Sequence, residues 1–413
     1  MTDSPIPDRD DQTEQDRRER LERAFQARSA SVELPEVFPH QELLYWLEIA
    51  NMGVAGIRAD ELMRVYERYG SIEMLLTWSR GDLLELGARE NLGLNFLDEK
   101  RVQSLIEKRE RVDGEVLYDK LQIARTSFYP IVHPHYPRCL SNIHNAPIGI
   151  YTRGQMPITS LGMAIAIVGT RKPTSYGSKI AKTFAGELAS AGLIVVSGMA
   201  LGIDSLAHWG AIEAGGRTIA VLAGGVDHIY PSTNRKLYDR LLAKEDGLIV
   251  SEYFPGTEPK TWMFPSRNRI ITGLSNALLL VEAGAKSGSL ISAKFAFEQS
   301  LEVFAIPGSI WAEMSAGPND LIHKDSARLV TSTKQILSHM QVSTARIADF
   351  APIAVQLYGR EKEVFDRLAN EPTHFEQLTQ ALEISVGELS SALTMLELAG
   401  LIERLPGDFY QRA

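Results

Sequence analysis

Between residues 160 and 310 the apolar positions fall into six short, nearly uninterrupted runs: MAIAIVG, LIVVSG, RTIAVLAGG, GLIVSEY, NALLLVEAG and LEVFAIPG. Five helix-compatible stretches separate them, at 175–191, 202–214, 232–245, 264–274 and 289–300. Continuous apolar strands that alternate with helices specify a parallel sheet covered on both faces. Right-handed crossovers then make it a doubly wound, Rossmann-like layer. The pattern changes on either side. From residue 40 to 125 the apolar positions recur at helical spacing in short blocks, as in HQELLYWLEIA, where Leu43, Leu44, Leu47 and Ile49 lie largely on one side. Gly70 suits a helix C-cap, and Ser71 and Ser79 suit N-caps, the latter with Asp82 three residues on. A longer helix is expected from about Asn95, and GVAG (53–56) is a tight turn of the kind found in helix-hairpin-helix units.

Residues 360–413 form another helical block. Thr373 with Glu376 and Ser385 with Glu388 are spaced as capping boxes, and Leu389, Leu393 and Leu396 mark a core face. LIERLPGDFYQR then predicts two strands around Pro406-Gly407-Asp408, which completes a winged helix. The first 38 residues are rich in Asp, Glu and Arg, with little apolar periodicity, and bury too little to hold a fold. The expected architecture is therefore α/β. A charged, disordered tail (1–38) and a small helical domain (39–128) precede a doubly wound parallel Rossmann-like domain (129–330). A linker (331–359) and a winged helix (360–413) follow.

Composition narrows the class. A chain of 413 residues with a single cysteine, Cys139, has no intramolecular disulfide and no Cys-rich zinc site. No apolar run is long enough to span a membrane and no signal-peptide core is present, so a cytoplasmic location is expected. The net charge of -9 argues at first against nucleic acid. Its location reverses the argument. The acidity lies in the tail, the helical domain and the C-terminal block, whereas 160–330 is close to neutral. His133 and His135, around Pro134, read as a surface loop rather than a metal site.

Ligands of a doubly wound sheet bind at the carboxyl ends of its strands. Here the first strand ends Gly169-Thr170-Arg171 and the second Ser197-Gly198. Arg235 and Lys236 follow the third, Lys260 and then Arg267-Asn268-Arg269 follow the fourth, and Lys286 with Ser287-Gly288-Ser289 follow the fifth. Glycines allow close backbone approach, helix N-termini point N–H groups at anions, and arginines bind phosphate bidentately. The Gly-x-Gly-x-x-Gly of a dinucleotide site and the P-loop are both missing, the first strand being followed by GTRKPT. A row of cations along a sheet edge suits a polyanion that runs across it. The alternative is that these arginines are solvated or paired with Glu252, Glu258 and Glu282. Asp204 and His208, four apart on one helix, are expected to brace the pocket by hydrogen bonding rather than to act as acid and base. Glu252 and Glu282 are expected to orient arginines.

The ordered series IVGTRKPTSYG, VVSGMALGIDSLAH, GGRTIAVLAGGVDHIYPSTN, SEYFPGTEPKTWMFPSRNRIITGLS, VEAGAKSGSLISAKFA and FAIPGS…GPNDLI closely resembles the DNA-processing protein A family (DprA, also called Smf), over about 137–329. The resemblance implies a non-catalytic protein of natural transformation that needs no cofactor. It would bind single-stranded DNA, protect it, form a homodimer through the Rossmann-like domain and load the RecA recombinase. By motif it places Arg171 on a phosphate and Ser197, Gly198, Arg267, Asn268, Arg269, Ser287, Gly288 and Ser289 in the same pocket, with Arg235 and Lys260 nearby. The sequence departs from the family at Ser326, where glycine is usual, and at GVAG, which is not the usual Gly-x-Gly hairpin. An enzyme that cleaves nucleoside monophosphates would carry PGGxGTxxE, which does not occur. A duplex regulator would carry basic groups on the third helix of the winged unit, which exposes Glu388, Ser390, Ser391, Thr394 and Glu397 instead.

Overall fold

The computed structural model describes residues 38–89, 92–243, 247–342, 359–368, 372–398 and 401–412. The chain divides into two compact units at residue 346. In the first unit a nine-stranded sheet runs in the order β1-β2-β6-β5-β4-β3-β7-β8-β9. Its strands are β1 (Ser127–Pro130), β2 (Gly149–Gly154), β3 (Ala164–Val168), β4 (Ile194–Ser197), β5 (Thr218–Val221), β6 (Gly247–Ser251), β7 (Ala277–Leu280), β8 (Glu302–Ala305) and β9 (Arg328–Leu329). The six apolar runs are β3 to β8, all parallel. β3 and β7, central to the layer, are buried at every position, as strands covered on both faces must be. Ile165 pairs with Val195 on one side and Ala277 on the other. The chain leaves β3 for β4 in one direction and returns to β7 in the other, so the strand order reverses between β3 and β7. That reversal opens a crevice at their carboxyl ends.

Three strands had no sequence signal. β1 and β2 extend the β6 edge in antiparallel register, and two-residue β9 extends the β8 edge. β1 contains Pro130, which a strand tolerates only at an edge or end.

The helical domain packs α1 (His40–Met52), α2 (Ala59–Tyr69), α3 (Met74–Thr77), α4 (Arg80–Gly87), α5 (Glu99–Arg109) and α6 (Gly114–Ile123) around Trp46, Leu47, Leu62, Leu75 and Leu83. Gly70 closes α2 in the left-handed region, and Ser79 caps α4 by accepting from the Asp82 N–H. α5 starts at Glu99 rather than near Asn95 because Asp98 caps it (2.8 Å to Arg101 N). Glu42 is buried and accepts from Trp46 Nε1 (2.9 Å), Ser71 Oγ (2.6 Å) and Ile72 N (3.1 Å), which ties α1 to the α2–α3 turn. Gly53 and Gly56 make a left-handed turn whose Gly53 carbonyl accepts from Lys108 Nζ (2.5 Å). Asn51 Nδ2 donates to Tyr151 OH (2.8 Å) and joins this domain to β2.

The sheet is covered by α8 (Ser175–Ser190), α9 (Ile203–Glu213), α10 (Arg235–Ala243), α11 (Met263–Gly273), α12 (Ser289–Glu298) and α13 (Ala316–His323), with short α7 (Arg138–Ser141) before β2. The packed unit continues past residue 330, where a linker was expected. α14 (Thr333–His339) buries Ile336 and Leu337, and Thr333 Oγ1 hydrogen-bonds Glu187 on α8. Residues 1–37 of the tail and residues 343–358 lie outside the described residues.

The second unit is a winged helix: α15 (Gly359–Arg367), α16 (Phe375–Leu382), α17 (Val386–Leu398) and a sheet in the order β10 (Thr373–His374), β12 (Phe409–Arg412), β11 (Ile402–Leu405). Leu389, Leu393 and Leu396 are buried with Val364, Leu378, Ile402 and Tyr410. Ser385 and Glu388 cap each other reciprocally. The Thr373–Glu376 box does not form. Thr373 pairs in β10, and the next residue, His374, caps α16 by accepting from Glu376 N (3.2 Å).

Candidate nucleic-acid interface

The crevice at the β3/β7 reversal is an open cavity of about 630 Å³. Gly169, Thr170 and Arg171 line it from the end of β3, Arg267 and Asn268 from α11, and Ser287, Gly288 and Ser289 from the loop that opens α12. The wall is held from behind. Thr170 N–H donates to Glu282 O (2.7 Å), and Thr170 O accepts from Ile203 N (3.2 Å), so the Gly-Thr-Arg loop is pinned on both sides. The Glu282 carboxylate accepts from Thr174 N (2.9 Å) and Thr174 Oγ1 (2.5 Å) at the start of α8, where the helix dipole favours a negative charge. A Cβ at Gly177 would stand 2.1 Å from that carboxylate, so only glycine lets it reach the helix end. Glu282 thus orients the loop and not an arginine, contrary to the sequence expectation.

Three consecutive residues of α11 do three different things, because neighbours on a helix are about 100° apart. Arg267 turns inward. It is 5% exposed, and its Nη1 donates to Gly198 O (2.7 Å) and to Val221 O, clamping the ends of β4 and β5. Burial lowers its pKa to about 10, against the attraction of the Asp204 carboxylate. A Cβ at Gly198 would lie 2.5 Å from the guanidinium. Asn268 faces the cavity. Arg269 turns to the far side, with Nη2 on Glu252 Oε1 (2.6 Å) and Nε on Asn145 O (2.8 Å). Glu252 therefore orients an arginine as expected, but one outside the cavity wall.

The other expected residues divide similarly. Ser197 is fully buried and donates to Ile167 O (2.7 Å), a bond between β4 and β3. Gly198 borders a small recess shared with Arg171, Tyr230 and Phe264. Arg235 is exposed on α10 and paired with Asp239 (3.2 Å), and exposed Lys260 precedes α11; neither lines the cavity. Arg171 is exposed, with its guanidinium 5.7 Å from the Phe264 ring centroid, and no ion pair engages it among the described residues. Sequence reasoning missed the aromatic wall. Phe264 and Tyr230 line the cavity with ring centroids 5.3 Å apart. Both stand in the YPSTN and WMFPS stretches, a few residues before Arg235 and Arg267.

Of the expected pair only Asp204 braces the pocket; His208, one turn further along α9, bonds Thr218 at the start of β5, the opposite end of the strand. Asp204 accepts from Gly198 N (3.2 Å), and burial raises its pKa. Thr218 Oγ1 donates to Val195 O (2.7 Å), so it accepts the Nδ1–H of His208 (2.7 Å). Burial lowers the His208 pKa to about 3, and the ring is neutral. A histidine neutral when folded but ionising near 6.5 when unfolded gives a stability that is full above about pH 6.5 and is lost as pH falls towards 3. The slope is about 1.4 kcal/mol per pH unit. Asp204 acts in the opposite sense, since a raised carboxyl binds its proton before the unfolded chain does. Denaturant melts of wild type and His208→Gln at pH 7 and pH 5 are expected to show a pH-dependent loss about 2 kcal/mol smaller in the variant. Equal losses would remove His208 as the cause.

The family model described as DNA recombination-mediator protein A matches residues 127–341, and that described as DprA winged helix domain matches 349–408. The chain belongs to the DprA/Smf family of DNA-processing proteins. It is 31% identical to Protein Smf of Synechocystis sp. over 90% of this chain and 99% of the relative. It is 43% identical to the DNA processing protein DprA of Bacillus subtilis, over 51% of this chain and 70% of that one. The X-ray structure of DprA from Streptococcus pneumoniae superposes with a TM-score of 0.58 at 32% identity, covering 71% of this chain and 97% of that one. Among the described residues no helix of this family member is long and apolar enough to cross a membrane.

Proposed function

We propose that this protein binds single-stranded DNA without base preference in the β3/β7 cavity, protects it, and passes it to a RecA recombinase during natural transformation. In this reading it is a cytoplasmic homodimer that works without catalysis. The observation that carries the reading is the composition of the cavity wall. An exposed arginine, Arg171, stands over an aromatic ring beside the Asn268 amide and the hydroxyls of Ser287 and Ser289 at the start of α12. Cationic and amide donors take the phosphates, and rings take bases of any identity. A cavity of this size, within the roughly 300–1,000 Å³ range of small-ligand sites, suits a few unpaired nucleotides rather than a duplex. Glu282, the carboxylate at the end of β7, is engaged by Thr174 and is absent from the cavity lining, which favours binding over catalysis.

The winged unit supports a protein-docking role. The outer face of α17 exposes Glu388, Ser390, Ser391, Thr394 and Glu397 with no basic residue, next to exposed Val386 (62%) and Met395 (54%). Such a face repels a phosphate backbone and presents apolar area to a protein.

The test is equilibrium binding of labelled poly-dT and of blunt duplex across a salt series. Poly-dT is expected to bind more tightly, and log K to fall with log salt by about 0.7 for each phosphate neutralised. Equal affinity for duplex and single strand sinks the reading, and release of free base from a nucleoside monophosphate replaces it with an enzyme.

A further inference from the structure

Beside the cavity stands a tryptophan that nothing in its own unit covers. The loop between β8 and α13 is pinned at both ends. Gly308 N–H donates to Asn319 Oδ1 (3.2 Å), and Asn319 Nδ2 donates back to Gly308 O (3.0 Å). Met314 O accepts from Ala283 N (2.7 Å) in the loop after β7, and Tyr176 OH donates to Pro307 O (3.1 Å). Between these anchors the backbone is tied to itself, with Ala312 N on Ser309 O (3.0 Å) and Trp311 N on Ser309 Oγ (3.3 Å). A backbone held in this way has the means to tuck an apolar side chain away. Instead Ile310 is 81% exposed and Trp311 90% exposed. A fixed, projecting indole marks a contact surface rather than a loose loop.

The position says what is contacted. Trp311 lies three residues from Met314, which lines the cavity, and three residues of chain span at most about 11 Å. The Trp311 backbone therefore lies within that reach of the cavity wall, in the loop that follows β8. Exposed Arg171 and Lys172 line the cavity, and exposed Lys286 directly precedes Ser287 in its wall, none of the three in an ion pair among the described residues. Glu313, exposed, is the carboxylate nearest in sequence. A strand leaving the cavity past these cations would bring its bases to the indole. We infer that Trp311 is a base-stacking platform that extends the single-strand track beyond the cavity towards β8. The inference rests on the proposal that the cavity holds single-stranded DNA. One indole face accepts any base, so the contact adds affinity without sequence preference.

The experiment compares full-length wild type, Trp311→Ala and Trp311→Phe on dT oligomers of increasing length, and on a long strand of equal charge built from abasic nucleotides. Trp311→Ala is expected to bind long dT about ten-fold more weakly, and Trp311→Phe to recover most of the loss. The deficit should vanish on the abasic strand and on oligomers too short to leave the cavity. Three outcomes overturn the inference alone: unchanged affinity of Trp311→Ala for long dT, an equal deficit on the abasic strand, or unchanged DNA binding with an altered sedimentation coefficient, which assigns the indole to a protein contact. Failure of the wild type to bind any single strand overturns the cavity proposal as well.

Discussion

Replacing Arg267 by alanine is expected to destabilise the fold by about 3–5 kcal/mol, the usual cost of removing one member of a buried charged cluster. Three losses combine. The Gly198 and Val221 carbonyls lose their donor at the ends of two adjacent strands. Asp204 loses the cation that most strongly offsets its burial. A void the size of a guanidinium opens in the binding wall, against a Gly198 with no side chain to fill it. In a domain of this size the melting temperature should fall on the order of 10 °C. Arg269→Ala is expected to cost less, because Glu252, its partner at 2.6 Å, is 23% exposed and water replaces the lost contact. Thermal melting with DNA affinity measured per folded molecule checks both. If Arg267→Ala melts like wild type and only DNA affinity drops, the guanidinium belongs to the ligand and not to the fold.

The two arginines also show what the sequence could and could not convey. Arg-Asn-Arg beside a buried strand is legible as a cationic feature, and the alternation of apolar runs with helices places it after the fourth strand. Which arginine faces which way depends on the phase of α11 against β4 and β5, and only tertiary packing sets that. In sequence the residues between strands form one row, yet the fold gathers Gly169 to Arg171, Arg267, Asn268 and Ser287 to Ser289 on one wall and leaves Arg235 and Lys260 off it. Glu282 was read as a partner for arginine because charge suggested it, but an N-terminal helix end was closer. Edge strands escaped for a related reason. β1 and β9 are short and lack the continuous apolar signature, since an edge need not be buried on both faces. In the winged unit, Thr373 had the right spacing for a cap but was recruited into β10, and His374 took its place.

Arg171→Ala is expected to weaken single-strand binding by about 1.5–3 kcal/mol, or roughly ten-fold to more than a hundred-fold, through loss of a charge-assisted bond to phosphate. The size of the effect follows from what Arg171 does not do in the fold. Its guanidinium is exposed, packs 5.7 Å from the Phe264 ring and makes no ion pair among the described residues. The backbone beneath it is fixed independently, by Thr170 on Glu282 and Ile203. The alanine variant should therefore melt within a degree or two of wild type, unlike Arg267→Ala. Arg171→Lys should recover charge but not planarity: the ammonium makes a point contact, loses the stacking on Phe264, and should restore only part of the affinity. The salt series separates the two contributions. If Arg171 neutralises one phosphate, the slope of log K on log salt should shallow by about 0.7 in Arg171→Ala and return in Arg171→Lys. A folded Arg171→Ala protein with wild-type affinity and slope would place the phosphate track elsewhere on the sheet edge.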